Sequence, residues 1–285
     1  MKWSNIKELL MHILFFLTAC VSIFAVVLIC VFLFANGIPA IGKIGVFKFL
    51  LGTKWKPGND IYGILPMILG SLYVTAGAII IGVPIGLLTA VFLAKFCPKG
   101  LYKILKPATE LMAGVPSVVY GFFGLVVLVP LVQNMFGVAG NTMLTASVLL
   151  GIMILPTIIG VSESAIRAVP DSYYEGSLAL GASHERSVFF ATLPAARSGI
   201  LAGVVLGIGR AIGETMAVVM VAGNKVRMPQ GLLDGVRTMT ANIVMEMGYA
   251  TDLHREALIA TAVVLFVFIL MINVTFSLLR RKDRA

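Results

Sequence analysis

The chain has 285 residues, of which 59% are hydrophobic and only 12% are charged, and its mean hydropathy is +1.00. These values exclude an ordinary soluble domain, in which about 25% of residues are charged, and predict an all-α integral membrane protein. The formal charge of +9 does not indicate nucleic-acid binding, because the basic residues form short clusters between apolar runs, where they set membrane topology and contact lipid headgroups.

Six mostly apolar runs are long enough to cross a bilayer, since about 20 helical residues at 1.5 Å each span the hydrocarbon layer. The predicted spans are 13–35, 64–94, 111–132, 142–162, 198–223 and 257–279. Pro66 and Pro84 in the second run predict an interfacial start or a kink. We interpret residues 1–285 as a single transmembrane domain with six transmembrane helices.

The first run is too long for the apolar core of a cleaved signal peptide, and no small-residue cleavage site follows it, so we expect an uncleaved first span. Cys20 and Cys30 lie inside this run and Cys97 lies just after the second, a spacing that fits neither a disulfide nor a metal site. The sequence "GIPAIGKI" at 37–44 nearly matches a phosphate-cradling loop, but Ile44 stands where a hydroxyl must bind magnesium. We therefore expect no nucleotide site, metal or cofactor in this chain.

The distribution of basic residues predicts that both termini are cytoplasmic. With the N-terminus inside, the inner segments carry 13 lysines and arginines and the outer segments carry 8. The inner cations are Lys2, Lys7, Lys95, Lys99, Lys103, Lys106, Arg167, Arg186, Arg197, Arg280, Arg281, Lys282 and Arg284. In this orientation 163–197 is the largest cytoplasmic loop, and 224–256 lies outside.

The large cytoplasmic loop has local signals for two short helices that meet at a glycine. Ser172 followed by Glu175 predicts a capping box, and Gly181 predicts a left-handed end to the first helix. Ser183 predicts the cap of a second helix, which Pro194 would close or bend. Several apolar side chains of the loop need a partner surface, either on this chain or on another protein: Leu178, Leu180, Val188, Phe189 and Phe190.

The fifth run places Arg210 near its middle and Glu214 four residues later. A central arginine costs about 2.5 to 3.5 kcal/mol on insertion scales, so it should face protein or water. Gly199, Gly203 and Gly207 precede it on roughly the same face and allow a neighbouring helix to approach closely. Two interpretations follow: an intrahelical ion pair that neutralises itself, or an anion site in which Glu214 orients the Arg210 guanidinium and competes for it.

The outer segment 224–256 contains "LLDGVRTMTANIVMEMG", whose apolar spacing predicts a short interfacial helix. The three histidines, His12, His184 and His254, lie at or beyond the ends of the predicted spans. No base is therefore expected at membrane depth, which argues against an intramembrane hydrolase and against an enzyme with catalytic residues of its own.

The frame of the cytoplasmic loop resembles a known family. Glu175, Gly181 six residues later, and Leu193 and Pro194 twelve and thirteen residues after that glycine resemble the "EAA" loop of ABC-importer permeases. The positions that depart from its usual alanines and isoleucine are Gly176, Ser177 and Ala191. The resemblance implies a type I ABC-importer permease architecture, with a cytoplasmic coupling helix that docks into a separate ATPase subunit dimer.

Three further stretches look like the phosphate-specific permease subunit of C type: "FLLGTKWKPGNDIYGILPMILGSLYVT", "GRAIGETMAVVMVAGN" and "RTMTANIVMEMG". This resemblance implies a subunit of a bacterial phosphate importer in the cytoplasmic (inner) membrane. It also implies a related second permease of A type and an extracytoplasmic phosphate-binding protein as partners. The residues themselves leave open another oxyanion, such as sulfate or molybdate, and an ATP-independent anion channel or secondary transporter, although the last two leave the coupling-type loop unexplained.

Overall fold

The computed structural model describes residues 3–282, with the side chains of residues 7–275 and 278. Lys2 and Arg284, which enter the count of basic residues, lie outside the described residues. The helices in chain order are α1 (Trp3–Ile44), α2 (Val46–Leu51), α3 (Leu65–Val91), α4 (Lys99–Gly114), α5 (Ser117–Phe123), α6 (Val129–Phe136), α7 (Met143–Arg167), α8 (Asp171–Ala179), α9 (His184–Ser187), α10 (Leu193–Gly213), α11 (Met216–Val221), α12 (Met239–Met247) and α13 (Asp252–Lys282). Two short strands, β1 (Trp55–Lys56) and β2 (Ile61–Tyr62), pair antiparallel.

Six helical segments of the described chain are long and apolar enough to cross a membrane, which confirms the predicted number of spans. They are Lys7–Ile44, Leu65–Phe96, Ser117–Phe136, Met143–Arg167, His184–Gly213 and Asp252–Thr275. Single turns of π-helix at Phe92–Phe96, Gly124–Leu128 and Val188–Thr192 lie within three of these segments.

The third span begins later than the sequence predicts. Val115 and Pro116 have extended backbones (ψ 127° and 141°), and they separate α4 from α5. A proline disfavours the helical conformation of the residue before it, which breaks the predicted run 111–132 near its start. Residues 99–114 therefore form a helix of their own ahead of the span.

Of the two predicted effects of Pro194, closing or bending the second helix of the loop, the first does not occur. The segment His184–Gly213 runs through it, with the π-turn Val188–Thr192 just before Pro194 in the first turn of α10. A proline is tolerated in a first turn because it lacks an N–H, and a π-turn alters the hydrogen-bond register ahead of it. The fifth span consequently starts well before residue 198.

The far end of the fifth span is broken rather than continuous to residue 223. Helix α10 ends at Gly213, Glu214 is extended (ψ 132°), and the chain resumes as α11 at Met216. Gly223, at φ +80°, turns the chain away after α11. Arg210 and Glu214 therefore do not lie on one regular helix.

Helix α7 is the central element of the bundle and packs against both α3 and α10. A Cβ at Gly82 of α3 would lie only 2.8 Å from the carbonyl oxygen of Gly151 of α7, so this crossing requires glycine. Leu149, Ile154 and Ile158 are fully buried along α7. This rigid packing fixes the position of the side chains that α7 presents to α10.

At one end of α7, residues 45–64 and 223–251 form a folded cap over the bundle. Trp55 pairs with Tyr62 across the two strands, and both side chains are buried. The predicted helix in the outer segment exists as α12, but Met239 and Asn242 are completely buried. One face of α12 therefore packs inside the cap, while Val244 on the same helix is 52% exposed; a position at the membrane interface stays a prediction.

At the other end, residues 168–197 form the loop face. The predicted capping box is wrong: α8 begins at Asp171 after Pro170, whose carbonyl accepts the Tyr173 N–H, and Ser172 lies inside the helix. Gly181 does have the predicted left-handed backbone (φ +86°). Ser183 does cap α9, since its hydroxyl accepts the Arg186 N–H.

Candidate functional site

The side chain of Arg210 crosses from α10 to α7. Its Nη1 donates a hydrogen bond of 3.2 Å to the Thr157 hydroxyl, and Thr157 lies in the middle part of α7. Arg210 is half-buried. The guanidinium is therefore held at mid-depth of the bundle by one hydrogen bond, which leaves most of its five N–H donors for other partners.

Glu214 does not pair with Arg210. Its Oε1 accepts the backbone N–H groups of Thr215 (3.0 Å) and Ala217 (3.2 Å), so the carboxylate caps the start of α11. Within the described chain, the predicted ion pair between Arg210 and Glu214 is not formed. The helix break at residue 214 is the physical reason, because it turns the side chain away from the i, i+4 direction.

One side of Arg210 is packed and the other is open. Gly203 and Gly207 face α7, where a Cβ would meet Ser162 at 3.0 Å and Ile158 at 2.9 Å, so the predicted close approach through glycines is present. Leu206, one turn before Arg210, is 55% exposed. Gly213 lies three residues after Arg210, and a Cβ at this glycine would meet nothing within 4 Å. Arg210 thus lies at the edge of a surface that this chain does not cover.

A second charged cluster, which the sequence did not predict, lies at the boundary of the bundle. Glu163, 1% exposed, accepts hydrogen bonds from the Tyr102 hydroxyl (2.8 Å), Lys106 Nζ (2.9 Å) and Arg167 Nε (2.8 Å). The hydrogen bond to Glu163 raises the pKa of the Lys106 ammonium above its usual value. The cluster holds α4 against α7. The sequence does contain a signal for it, because an acidic residue stands one turn before Arg167 at the end of a predicted span.

The loop face presents apolar side chains to the outside. Leu180, directly before Gly181, is 91% exposed, and Phe190, in the π-turn ahead of α10, is 78% exposed. Glu175 is exposed on α8 and Pro194 is exposed on α10. Leu193 differs, because it packs on the buried cluster of Val169, Val188 and Ala196. Of the four residues predicted to couple to an ATPase, Glu175, Gly181 and Pro194 are therefore exposed, whereas Leu193 packs inside.

Two sequence features do not form the sites that their patterns suggest. Residues 37–44 are helical within α1, and a Cβ on Gly37 would collide with Val263 of α13, so this segment does not form the phosphate-cradling loop of a nucleotide site. His184 bonds the Tyr174 hydroxyl at the loop face, and His254 bonds Glu246 in the cap. Among the described residues no group of three metal-ligating side chains comes together.

A family model described as "Binding-protein-dependent transport system inner membrane component" matches residues 82–284. The probable ABC transporter permease protein YqgH of Bacillus subtilis is 38% identical over 278 residues, covering 93% of this chain and 89% of that protein. The phosphate transport system permease protein PstC of Mesorhizobium japonicum is 34% identical, covering 90% of this chain and 85% of that protein.

Two solved structures share the fold. The MetNI methionine ABC transporter in an inward-facing conformation matches with a TM-score of 0.63 at 18% identity, covering 81% of this chain and 99% of that chain. A bacterial ABC transporter involved in alginate import matches with a TM-score of 0.63 at 16% identity, covering 98% of both chains. At these identities the likeness concerns the fold alone.

Proposed function

The chain belongs to the family of binding-protein-dependent transport system inner membrane components, and from this we propose that it is the C-type permease subunit of an ATP-driven importer of inorganic phosphate. It is a multi-pass protein of the cytoplasmic (inner) membrane. Relatives named as phosphate transport permeases, similar over most of the chain, support the choice of phosphate.

The half-open position of Arg210 is the single observation that carries the proposal from fold to mechanism. A guanidinium offers a planar fork of donors that matches two oxygens of a tetrahedral oxyanion. Thr157 occupies one donor, which fixes the orientation of the fork, and the remaining donors are free to bind phosphate. The uncovered surface beside Leu206 and Gly213 is where a second, related permease of A type would complete the pathway.

Glu214 has an indirect role in this pathway. Its carboxylate stabilises the break between α10 and α11, and discontinuous helices near the midplane are typical of transporter substrate sites. Because Glu214 does not occupy the guanidinium, Arg210 stays available for the anion. The substrate pathway therefore consists of Arg210 and Glu214, with Thr157 as a positioning residue.

The loop face is the docking surface for the ATPase subunit dimer. Gly181 forms the knuckle between α8 and α9, Glu175 is exposed on α8, and the exposed Leu180 and Phe190 supply apolar contact. Leu193 and Pro194 connect that knuckle to α10, the helix that carries Arg210. A movement of the knuckle between α8 and α9 can therefore be transmitted along this continuous segment to Arg210.

The orientation follows from this assignment. If the loop face meets an ATPase, it is cytoplasmic, as are both chain termini, and the cap faces the extracytoplasmic phosphate-binding protein. The basic-residue distribution supports the same orientation.

The test is transport by the purified complex in proteoliposomes with ATP on the ATPase side. We expect uptake of radiolabelled phosphate that requires ATP, the binding protein and two different permease chains. Saturable uptake of sulfate or molybdate without phosphate uptake would assign another oxyanion. Anion flux through a homogeneous homo-oligomer without ATPase would assign a channel or secondary transporter instead.

A further inference from the structure

A groove of about 580 Å³ opens at the edge of the cap, where the end of α1 meets α2 and the turn after it. Lys43, Lys48 and Lys54 line this groove, together with Thr53. Asp60 is the acidic residue among its described lining residues. Three lysines and a threonine around one opening indicate a site for an anion.

The charges of the groove are only partly compensated. Lys43 forms a salt bridge of 2.7 Å with Glu256 of α13, and Asp60 accepts the Tyr62 hydroxyl at 3.1 Å. Burial, with help from Asp60, raises the pKa of Tyr62 to about 12, so this hydroxyl stays protonated and keeps donating. Lys48 and Lys54 are exposed, and within the described chain neither meets a carboxylate within salt-bridge distance.

The groove lies at the end of the first apolar helical segment, Lys7–Ile44, and Lys43 belongs to the last turn of that segment. A lysine near the end of a spanning helix extends its ammonium towards the lipid headgroups. The short helix α2 then exposes Val46 (50%), Phe47 (79%) and Leu51 (60%) beside the lysines. Large apolar side chains next to lysines are typical of a segment that lies at the membrane interface.

We propose that this groove binds the phosphodiester headgroup of an anionic phospholipid, such as phosphatidylglycerol, in the leaflet on the cap side. Lys48 and Lys54 are the cationic contacts, Thr53 donates to a phosphate oxygen, and Phe47 and Leu51 lie at the start of the acyl chains. Free phosphate shares the headgroup chemistry but would leave the exposed apolar residues of α2 without a partner. The inference concerns the cap and is independent of the transported substrate.

The experiment uses the full chain in its assembled complex, placed in phosphatidylcholine nanodiscs with phosphatidylglycerol that carries a photoactivatable headgroup. We expect crosslinks to residues 43–54. Loss of two basic contacts in Lys48→Gln/Lys54→Gln should weaken labelling about 25-fold, since each surface lysine contributes about fivefold in affinity for anionic lipid. The charge-matched control Lys56→Gln/Lys225→Gln, on exposed cap residues outside the groove, should label like the wild type.

Competition separates the sources of the anion. Unlabelled phosphatidylglycerol vesicles should suppress the crosslinks, whereas millimolar inorganic phosphate should not. The proposal is overturned by equal labelling of the groove variant and the wild type. It is equally overturned if inorganic phosphate suppresses labelling, or if only an added solute-binding protein does so, which would assign the groove to an acidic protein surface.

Discussion

The guanidinium of Arg210 donates its hydrogen bond to the hydroxyl of Thr157, 3.2 Å away on α7, and not to Glu214 four residues later on its own chain segment. The arginine is therefore oriented by a neutral group. A neutral partner leaves the positive charge uncompensated, which a site for a transported anion requires and a self-neutralising pair would prevent.

Replacing the arginine tests the anion site directly. Arg210→Gln removes the charge and the fork, and we expect phosphate uptake to fall at least about 100-fold, because two charge-assisted hydrogen bonds are lost. Arg210→Lys keeps the charge without the fork and should be intermediate. Arg255→Gln, at an exposed position in the first turn of α13, is the charge-matched control. Near wild-type uptake by the double variant Arg210→Gln/Glu214→Gln, at matched membrane levels, would contradict the role of Arg210.

Thr157 should act through the orientation of Arg210. Thr157→Val keeps the shape and removes the hydroxyl, and we expect about a fivefold loss in kcat/KM for phosphate uptake from one lost hydrogen bond. Thr157→Ser keeps the hydroxyl that accepts the hydrogen bond from Arg210, so it should retain most of the activity. Equal losses in both variants would show that packing, not the hydrogen bond, matters at this position.

Glu214 should behave as a helix cap. Glu214→Gln keeps a side-chain oxygen that can accept the Thr215 and Ala217 N–H groups, so the folded subunit should be nearly as stable as the wild type. Glu214→Ala should lose about 1 kcal/mol of stability, the usual cost of removing a cap, and uptake should fall with it. Thermal unfolding in detergent, measured beside transport, checks this order; a larger loss of stability in the glutamine variant would favour an ion pair instead.

The Glu163 cluster should hold α4 on α7. Glu163→Gln leaves Lys106 and Arg167 without their buried counter-charge, and we expect a loss of about 3 kcal/mol in stability and a lower yield of folded protein. Adding Lys106→Met should recover part of it. Exposed Glu110→Gln, whose carboxylate lies 3.5 Å from the same lysine, is the control and should cost little.

The same cluster has a defined pH dependence. The pKa of Lys106 is raised in the folded chain by its hydrogen bond to Glu163, so this contribution to stability is fully present below the ordinary lysine pKa of about 10.4. It is lost only as pH rises through the raised value. We expect the stability difference between wild type and Lys106→Met to be constant from neutral pH to about pH 10; a decline already near pH 8 would contradict the pairing.

Gly181 should be required for coupling because of its left-handed backbone conformation. At φ +86° a β-branched residue is strained by about 1 to 3 kcal/mol, so Gly181→Val should insert normally but lose transport-stimulated ATP hydrolysis. Gly181→Asn, which tolerates this conformation, should retain it. Gly176→Ala, inside α8 with open space around it, is the matched control. Unchanged stimulation in the valine variant would count against docking at this knuckle.

The sequence by itself determined the number of spans, the left-handed turn at Gly181 and the cap at Ser183. These features depend on local properties: the length of an apolar run relative to the bilayer, and the conformational range of one or two residues. The residue Arg210 was also identifiable, because a charge in an apolar run is costly wherever the helix packs.

Only the tertiary structure decided which partners the charged groups take. Local spacing predicted a pair between Arg210 and Glu214. Because the helix breaks after Gly213, the carboxylate instead accepts backbone N–H groups. The guanidinium donates to Thr157, 53 residues away in sequence. Glu163 likewise meets Lys106, 57 residues distant, and Trp55 meets Glu246, 191 residues distant. Such contacts depend on how helices cross, and helix crossing is set by the packing of all the spans together rather than by any one segment.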